Sequence, residues 1–200
     1  MTKKNSVIIC VMGKTNSGKD FFAQYLKDTY KIPSIISYTN VPKRDDQEDG
    51  IHHFFISDKK MAELKSDDDN LLGYYDASPR GEYCTTIDMV HGSALTYVIN
   101  PDAIPPMQEK INIYNKKTGS KISLFPVFIY VPEDVLYNRG CQRGDDPDKL
   151  KERLDMERPE FDSAYENKEN YIISNDGTLS DYIHAIDEFI ERFQYLQQSN

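Results

Sequence analysis

The chain has too few cations to coat a nucleic acid. Its 24 Lys and Arg stand against 33 Asp and Glu in 200 residues, a formal charge of -9. Neutralising a phosphate backbone needs clustered basic side chains, so that role is excluded. A phosphate ligand would have to be met where the few cations are locally concentrated. Cysteine is scarce as well. Cys10, Cys84 and Cys141 are odd in number, widely spaced and in no CxxC pair, so neither a disulfide frame nor a zinc site is implied. Long apolar runs are lacking. Val7 to Met12 falls far below the ~20 residues that span a membrane, and glycine and polar residues interrupt it at once, so it is no signal peptide. No repeat or low-complexity linker divides the chain. These absences leave one globular domain, expected in the cytoplasm with neither nucleic acid nor membrane as partner. Its oligomeric state stays open. A hydrophobic content of 38% suffices for a sizeable core.

What is present reads as alternating strands and helices. Val7 to Met12 is continuous and β-branched, the pattern of a strand buried on both faces of a parallel sheet. Asp20 to Tyr30 is helical, with Phe22 and Leu26 one turn apart. Ser34 to Ser37 and Ile51 to Ile56 are short strand candidates, and Asp58 to Leu64 is helical. Ser66 to Asn70 is a solvated turn. Leu95 to Asn100 is a buried strand ended by Pro101. Residues Met107 to Lys121 fit either a helix or a hairpin turning at Lys116 to Gly119. Phe125 to Val131 is a strand, and a helical pattern resumes at Glu133 to Arg139. Arg143 to Arg158 is highly charged and reads as a mobile segment. Tyr171 to Ser174 is the last strand. Leu179 to Leu196 is the last helix, with Ile183, Ile186, Ile190 and Phe193 as its apolar stripe.

Between the first strand and helix stands Gly13-Lys14-Thr15-Asn16-Ser17-Gly18-Lys19-Asp20, which matches G-x-x-x-x-G-K. Glycines let successive N–H groups point at one phosphate, the helix presents its positive end, and Lys19 reaches the outer phosphates. A chance glycine turn is the competing account, but strand, loop and helix occur in the order the motif requires. Asp20 stands where Ser or Thr is usual; its carboxylate is a hard oxygen donor able to hold Mg²⁺ directly or through water. The loop implies ATP binding and names a superfamily rather than a reaction.

The stretch Ser37 to Phe55, SYTNVPKRDDQEDGIHHFF, resembles the guanylate kinase segment S-x-T-T-R-x-P-R-x-G-E-x-x-G-x-x-Y-x-F without a gap. In that family the serine, both arginines and the tyrosine hold the phosphate of GMP. Ser37 and Arg44 match; Val41 replaces the first arginine and His53 the tyrosine. His53 is either a phosphate ligand, favoured when protonated beside an anion, or an exposed strand residue. Gly81 to Thr85 resembles G-N-Y-Y-G-[ST], which makes Tyr83 the second tyrosine on the phosphate. The family's guanine-reading glutamate has no counterpart; Gly73 or Tyr74 occupies its place. Asp102 matches a carboxylate at a strand end, metal-associated or base-reading, or is a turn aspartate after Pro101. Phe125 to Leu154 resembles the family's lid segment, with Arg139, Arg143 and Arg153 on its arginines, although Arg139 also fits a surface helix position. Asn175 matches the asparagine beside the adenosine, or caps a helix or turn.

The resemblance implies a three-layer α/β P-loop kinase fold with a parallel core sheet. A monophosphate-binding region would lie at 37–95 and a lid at 138–158, around core segments 1–36, 96–137 and 159–200. It implies an enzyme that moves the ATP γ-phosphoryl group onto a nucleoside monophosphate, GMP to GDP, with Mg²⁺. Lys19, Arg139, Arg143 and Arg153 would be catalytic. The loop residues and Asn175 would bind ATP, Asp20 would hold the metal, and Ser37, Arg44, His53, Tyr83 and Asp102 would hold the acceptor. A kinase for a different acceptor, such as a deoxynucleoside monophosphate, and an inactive guanylate-kinase-like binding module are the alternatives. The segment 105–124 is longer than the family pattern and has no assigned role.

Overall fold

The structure, a computed structural model, describes residues 3–45 and 47–198, with side chains to residue 194. In chain order the strands and helices are β1 (Asn5–Met12), α1 (Lys19–Tyr30), β2 (Tyr38–Thr39), β3 (Phe54–Phe55), α2 (Asp58–Ser66), β4 (Leu71–Asp76), β5 (Glu82–Thr86) and β6 (Ala94–Val98). After them come α3 (Ile104–Thr118), β7 (Lys121–Tyr130), α4 (Glu133–Arg143), α5 (Pro147–Glu166), β8 (Tyr171–Ser174) and α6 (Leu179–Gln198).

Two four-stranded sheets result, in the orders β6-β1-β7-β8 and β3-β2-β5-β4. The first is the parallel-strand core sheet expected of the α/β class; Val127 to Tyr130 of β7 pair in parallel with Tyr171 to Ser174 of β8. Ile8, Ile9, Val11, Met12, Val127 and Ile129 are almost fully buried, which is why these strands read as continuous apolar runs. In the second sheet β2 runs parallel to β3 and antiparallel to β5, and β4 and β5 form a hairpin.

The chain divides into two compact units, Met1–Cys10 with Leu26–Phe125, and Val11–Tyr25 with Pro126–Asn200. The first holds the second sheet with α2 and α3; Met61, Leu72, Met107 and Ile111 are buried there. The second holds the glycine loop, α1 as far as Tyr25, α4, α5 and α6. Phe22 and Phe189 approach to 5.7 Å between ring centroids, and Tyr171 and Phe193 extend the cluster from Phe189. Each such buried ring contributes about 1.5–3 kcal/mol. No helix among the described residues is long and apolar enough to cross a membrane.

Several elements differ from the sequence reading, each for a local reason. Residues 104–118 resolve as helix, with Met107, Ile111 and Tyr114 buried at helical spacing. Gly119, in the left-handed region at φ 71°, ends it and donates its N–H to the Asn115 carbonyl at 2.8 Å, the usual helix stop. Ser34 to Ser37 is not a strand: Ser34 makes one isolated bridge to Thr96, and β2 starts at Tyr38. The strand expected at Ile51 to Ile56 shrinks to Phe54–Phe55 behind a turn. The β4–β5 hairpin emerges from a stretch read only as a motif.

The charged segment 143–158, read from the sequence as mobile, is largely regular helix. Asp146 caps α5 by accepting from the N–H groups of Asp148 and Lys149, and Pro147 opens the first turn, both favoured placements. Leu150 and Leu154 then bury against Val131 and Leu136.

Candidate active site

In the second unit, β1 delivers the chain into the loop 13–18, and α1 starts at Lys19. Gly18 sits at φ +90°, and a Cβ there would come 2.5 Å from Asn175 Nδ2; only glycine fits this turn. Asn175 follows β8, anchored by its own N–H on the Tyr130 carbonyl at 2.8 Å. Its Nδ2 donates to the Ser17 carbonyl at 2.8 Å. Asn175 therefore braces the loop and caps no helix. The Tyr182 hydroxyl of α6 donates to the Gly18 carbonyl at 3.1 Å, and burial raises its pKa, so it remains a donor.

Lys19 points its Nζ back to the Lys14 carbonyl at 3.4 Å. Burial lowers its pKa, against which Asp20 and Glu157 work to raise it; Arg153 and Arg143 lower it further. Two of the three predicted arginines are thus among the causes that lower the predicted lysine's pKa. Arg139 on α4 donates through Nη2 to the Asn175 carbonyl at 2.8 Å, so it is fixed to the brace rather than loose on a surface helix. Arg143 is exposed and pairs with Asp145 at 2.6 Å. Arg153 pairs with Glu157 at 2.9 Å. Lys14 lies 2.7 Å from Asp162 and 3.4 Å from Glu133. The Arg158 guanidinium, with Lys14 beside it, holds Glu133 below the usual carboxylate range.

Three further features of the loop bear on ligands. The Thr15 N–H donates to Glu157 Oε2 at 2.7 Å. Ser17 Oγ is buried with no hydrogen-bond partner among the described residues. Asp20 sits exposed in the first turn of α1. No group of three His, Cys, Asp or Glu side chains among the described residues could enclose a metal. A single carboxylate beside a phosphate cradle suits Mg²⁺, which takes one or two carboxylates and completes its shell with phosphate oxygens and water.

In the first unit, the second sheet brings together three of the predicted acceptor residues. Ser37 Oγ and His53 Nδ1 lie 2.9 Å apart. The His53 ring meets Tyr83 edge-on at 5.3 Å and Phe55 at 5.9 Å. The cause is register: β5 places Tyr83 opposite Thr39, and Thr39 pairs with Phe55 across β2 and β3. His53 is therefore packed into a cluster, not free on a strand. Arg44 lies in the exposed turn that follows β2, where its backbone N–H is held by Gln47 Oε1 at 3.1 Å. Asp102 is exposed in a short 3-10 turn, Pro101–Ala103, after β6.

Sequence reasoning missed Glu157 and Tyr182. Glu157 becomes legible only once α5 is known to be a helix; Tyr182 lies on a helix the sequence does show, buried but outside the apolar stripe read there.

Comparison with known proteins identifies a family. The sequence model described as Guanylate kinase matches residues 3–193. Protein lin-2 of Caenorhabditis elegans is 26% identical over 164 residues, which cover 82% of this chain and 15% of lin-2. The chain thus spans a small part of that relative's length. The crystal structure of guanylate kinase from Anaplasma phagocytophilum superposes with a TM-score of 0.57 at 16% identity, covering 100% of this chain and 87% of that one. At that identity the likeness bears on the fold, and it is the same α/β fold. With the family's sequence model running almost from end to end, the chain belongs to the guanylate kinase family.

Proposed function

We propose that this chain transfers the γ-phosphoryl group of ATP to the 5′-phosphate of a nucleoside monophosphate, GMP first. One oxygen of the acceptor phosphate would form the new P–O bond while the bond to the β-phosphate oxygen breaks, giving ADP and a nucleoside diphosphate. The observation that carries the reading is the loop braced by Asn175 and Tyr182, with Lys19 anchored on its main chain and Arg139 tied to the brace. Such fixed positive groups stabilise the transferring phosphoryl group without reorganising. Ser37, His53 and Tyr83 would supply donors for the acceptor phosphate, and Arg44, in the exposed turn after β2, would add a cation. Mg²⁺ bound with the nucleotide would neutralise phosphate charge. Asp20 would hold it. No general base is required, since the acceptor oxygen is already an anion and positioning does most of the work. The three free cysteines are consistent with the cytoplasmic setting that belongs to this proposal.

A second reading within the same chemistry is favoured by Val41 and His53, which stand where the family carries Arg and Tyr. A changed phosphate site suits a different acceptor, such as a deoxynucleoside monophosphate. Coupled ADP release with ATP and Mg²⁺, screened over GMP, dGMP, AMP, CMP, UMP and dTMP, separates the two. GMP-dependent turnover that Lys19→Ala abolishes is the expected result. Turnover with another monophosphate alone would transfer the reading to that acceptor. Silence with all six would point to a binding module and overturn the proposal.

A further inference from the structure

On α5 the buried positions Leu150, Leu154, Phe161 and Ala164 follow a spacing of four, seven and three. The seven-residue gap is divided at Glu157, three residues after Leu154 and four before Phe161. A carboxylate therefore stands on the apolar stripe of this helix, where a core side chain is expected. Its side chain is only 17% exposed, and burying a charge is costly unless it is paired. Glu157 is paired, and its partners belong to the nucleotide machinery. Oε2 accepts the Thr15 N–H of the glycine loop at 2.7 Å, and Oε1 accepts Arg153 Nε at 2.9 Å. Its charge is also felt by Lys19.

We infer that Glu157 is an affinity-determining residue of the nucleotide site: its carboxylate occupies a loop donor meant for a phosphate and must leave before nucleotide binds. The inference rests on the reading of the loop as an ATP site. A short carboxylate bond to a backbone N–H is of the charge-assisted kind that phosphate would make at the same atom, so the two anions exclude each other there. Arg153 is held by the same carboxylate, and displacing Glu157 releases its guanidinium toward the incoming phosphates. Ligand affinity is then reduced by the fraction of molecules in which the loop is open. The occluding group lies on the helix that carries a lid arginine, so nucleotide entry and arginine release become one event.

The experiment uses the whole chain, with ATP·Mg²⁺ as the probe. Calorimetry would compare the wild type with Glu157→Gln and Glu157→Ala, and stopped-flow would follow association over a range of ATP concentrations. Affinity should rise on the order of tenfold in both variants, the scale of one charge-assisted bond. The wild-type association rate should level off at high ATP, limited by departure of Glu157, and should stay linear in Glu157→Ala. Lys19→Ala should remove binding in every background. Unchanged or weakened affinity in the variants, with the wild type still binding ATP, would overturn the occlusion and leave the kinase reading standing. Absence of ATP binding in all proteins would overturn both. Glu157→Gln keeps the side chain's shape, so failure of that variant to fold would assign the carboxylate a structural duty and likewise overturn the inference.

Discussion

Val41 stands where the family resemblance expects a phosphate-binding arginine, and what surrounds it bears on what an arginine would add there. Its N–H is taken by Thr39 Oγ1 at 3.1 Å, so the backbone is fixed whatever the side chain. Ser37, His53 and Tyr83 gather close by in sequence and register. A phosphate contact from arginine is worth about 1.5–3 kcal/mol when desolvated, and less at a half-exposed position. Val41→Arg should therefore lower the KM for the acceptor, by up to roughly tenfold, with kcat little changed, because the contact serves ground and transition states alike. Steady-state kinetics with GMP checks this. An unchanged KM would mean that the 40–44 turn does not face the acceptor phosphate. At this scale most of the candidate site is legible in the sequence: motifs name the loop, Lys19, Asn175, and the Ser37, His53 and Tyr83 cluster. Glu157 is not, because no motif records a carboxylate whose role depends on which helical face it occupies.

Helix α3 is the element whose nature the sequence left open, and two side-chain devices decide it. Gly119 stops the helix in a left-handed conformation. Asn115 then uses its amide to bond both the N–H and the carbonyl of Ile122, at 3.0 and 2.7 Å, which aligns the start of β7. Lys110 pairs with Asp68, and Lys117 with Asp69 at 2.8 Å, so the acidic turn read as merely solvated docks onto this helix. Gly119→Ala should destabilise the protein by about 1 kcal/mol from the left-handed backbone alone. Asp69→Asn should cost about 0–1 kcal/mol, because the pair is exposed. Urea unfolding of both variants tests the ranking; an equal loss in both would mean that the surface pairs, not the cap, hold α3. The hairpin β4–β5 and the helix α5 escaped the reading for different reasons. In β4, partly buried Tyr74 and Tyr75 follow one another, which blurs the two-residue alternation of a strand. In α5, charge density and Pro159 within the helix mask a stripe whose buried positions are otherwise regularly spaced.

Over the whole molecule, 33 Asp and Glu stand against 24 Lys and Arg, and several carboxylates are held in their charged form by particular partners. Glu82 is held below the usual range by Lys65 and the Tyr74 hydroxyl. Glu133 is held down by Arg158 and Lys14, Asp145 by Arg143, and Asp181 by the Thr178 hydroxyl and backbone. These groups fall in both compact units. A carboxylate whose folded pKa is depressed adds stability that is fully present above its unfolded value, ordinarily 4.5 for glutamate and 3.8 for aspartate. That stability is lost as pH falls through the folded value, because the unfolded chain takes up protons first. Falling pH also removes the net negative charge, and with it the repulsion between molecules, as it passes the sequence pI of about 4.9. The thermal midpoint should therefore be flat from about pH 8 to 6 and should drop below about pH 4.5, in the window where carboxylates titrate. Glu82→Gln should lower the midpoint at pH 7 and make the acid limb shallower, since the group that titrates there is gone. Scanning calorimetry across pH 3 to 8 for both proteins reads the difference directly. Parallel acid limbs would show that Glu82, for all its contacts with Lys65, Tyr74 and Asn40, contributes no more than a solvated surface charge.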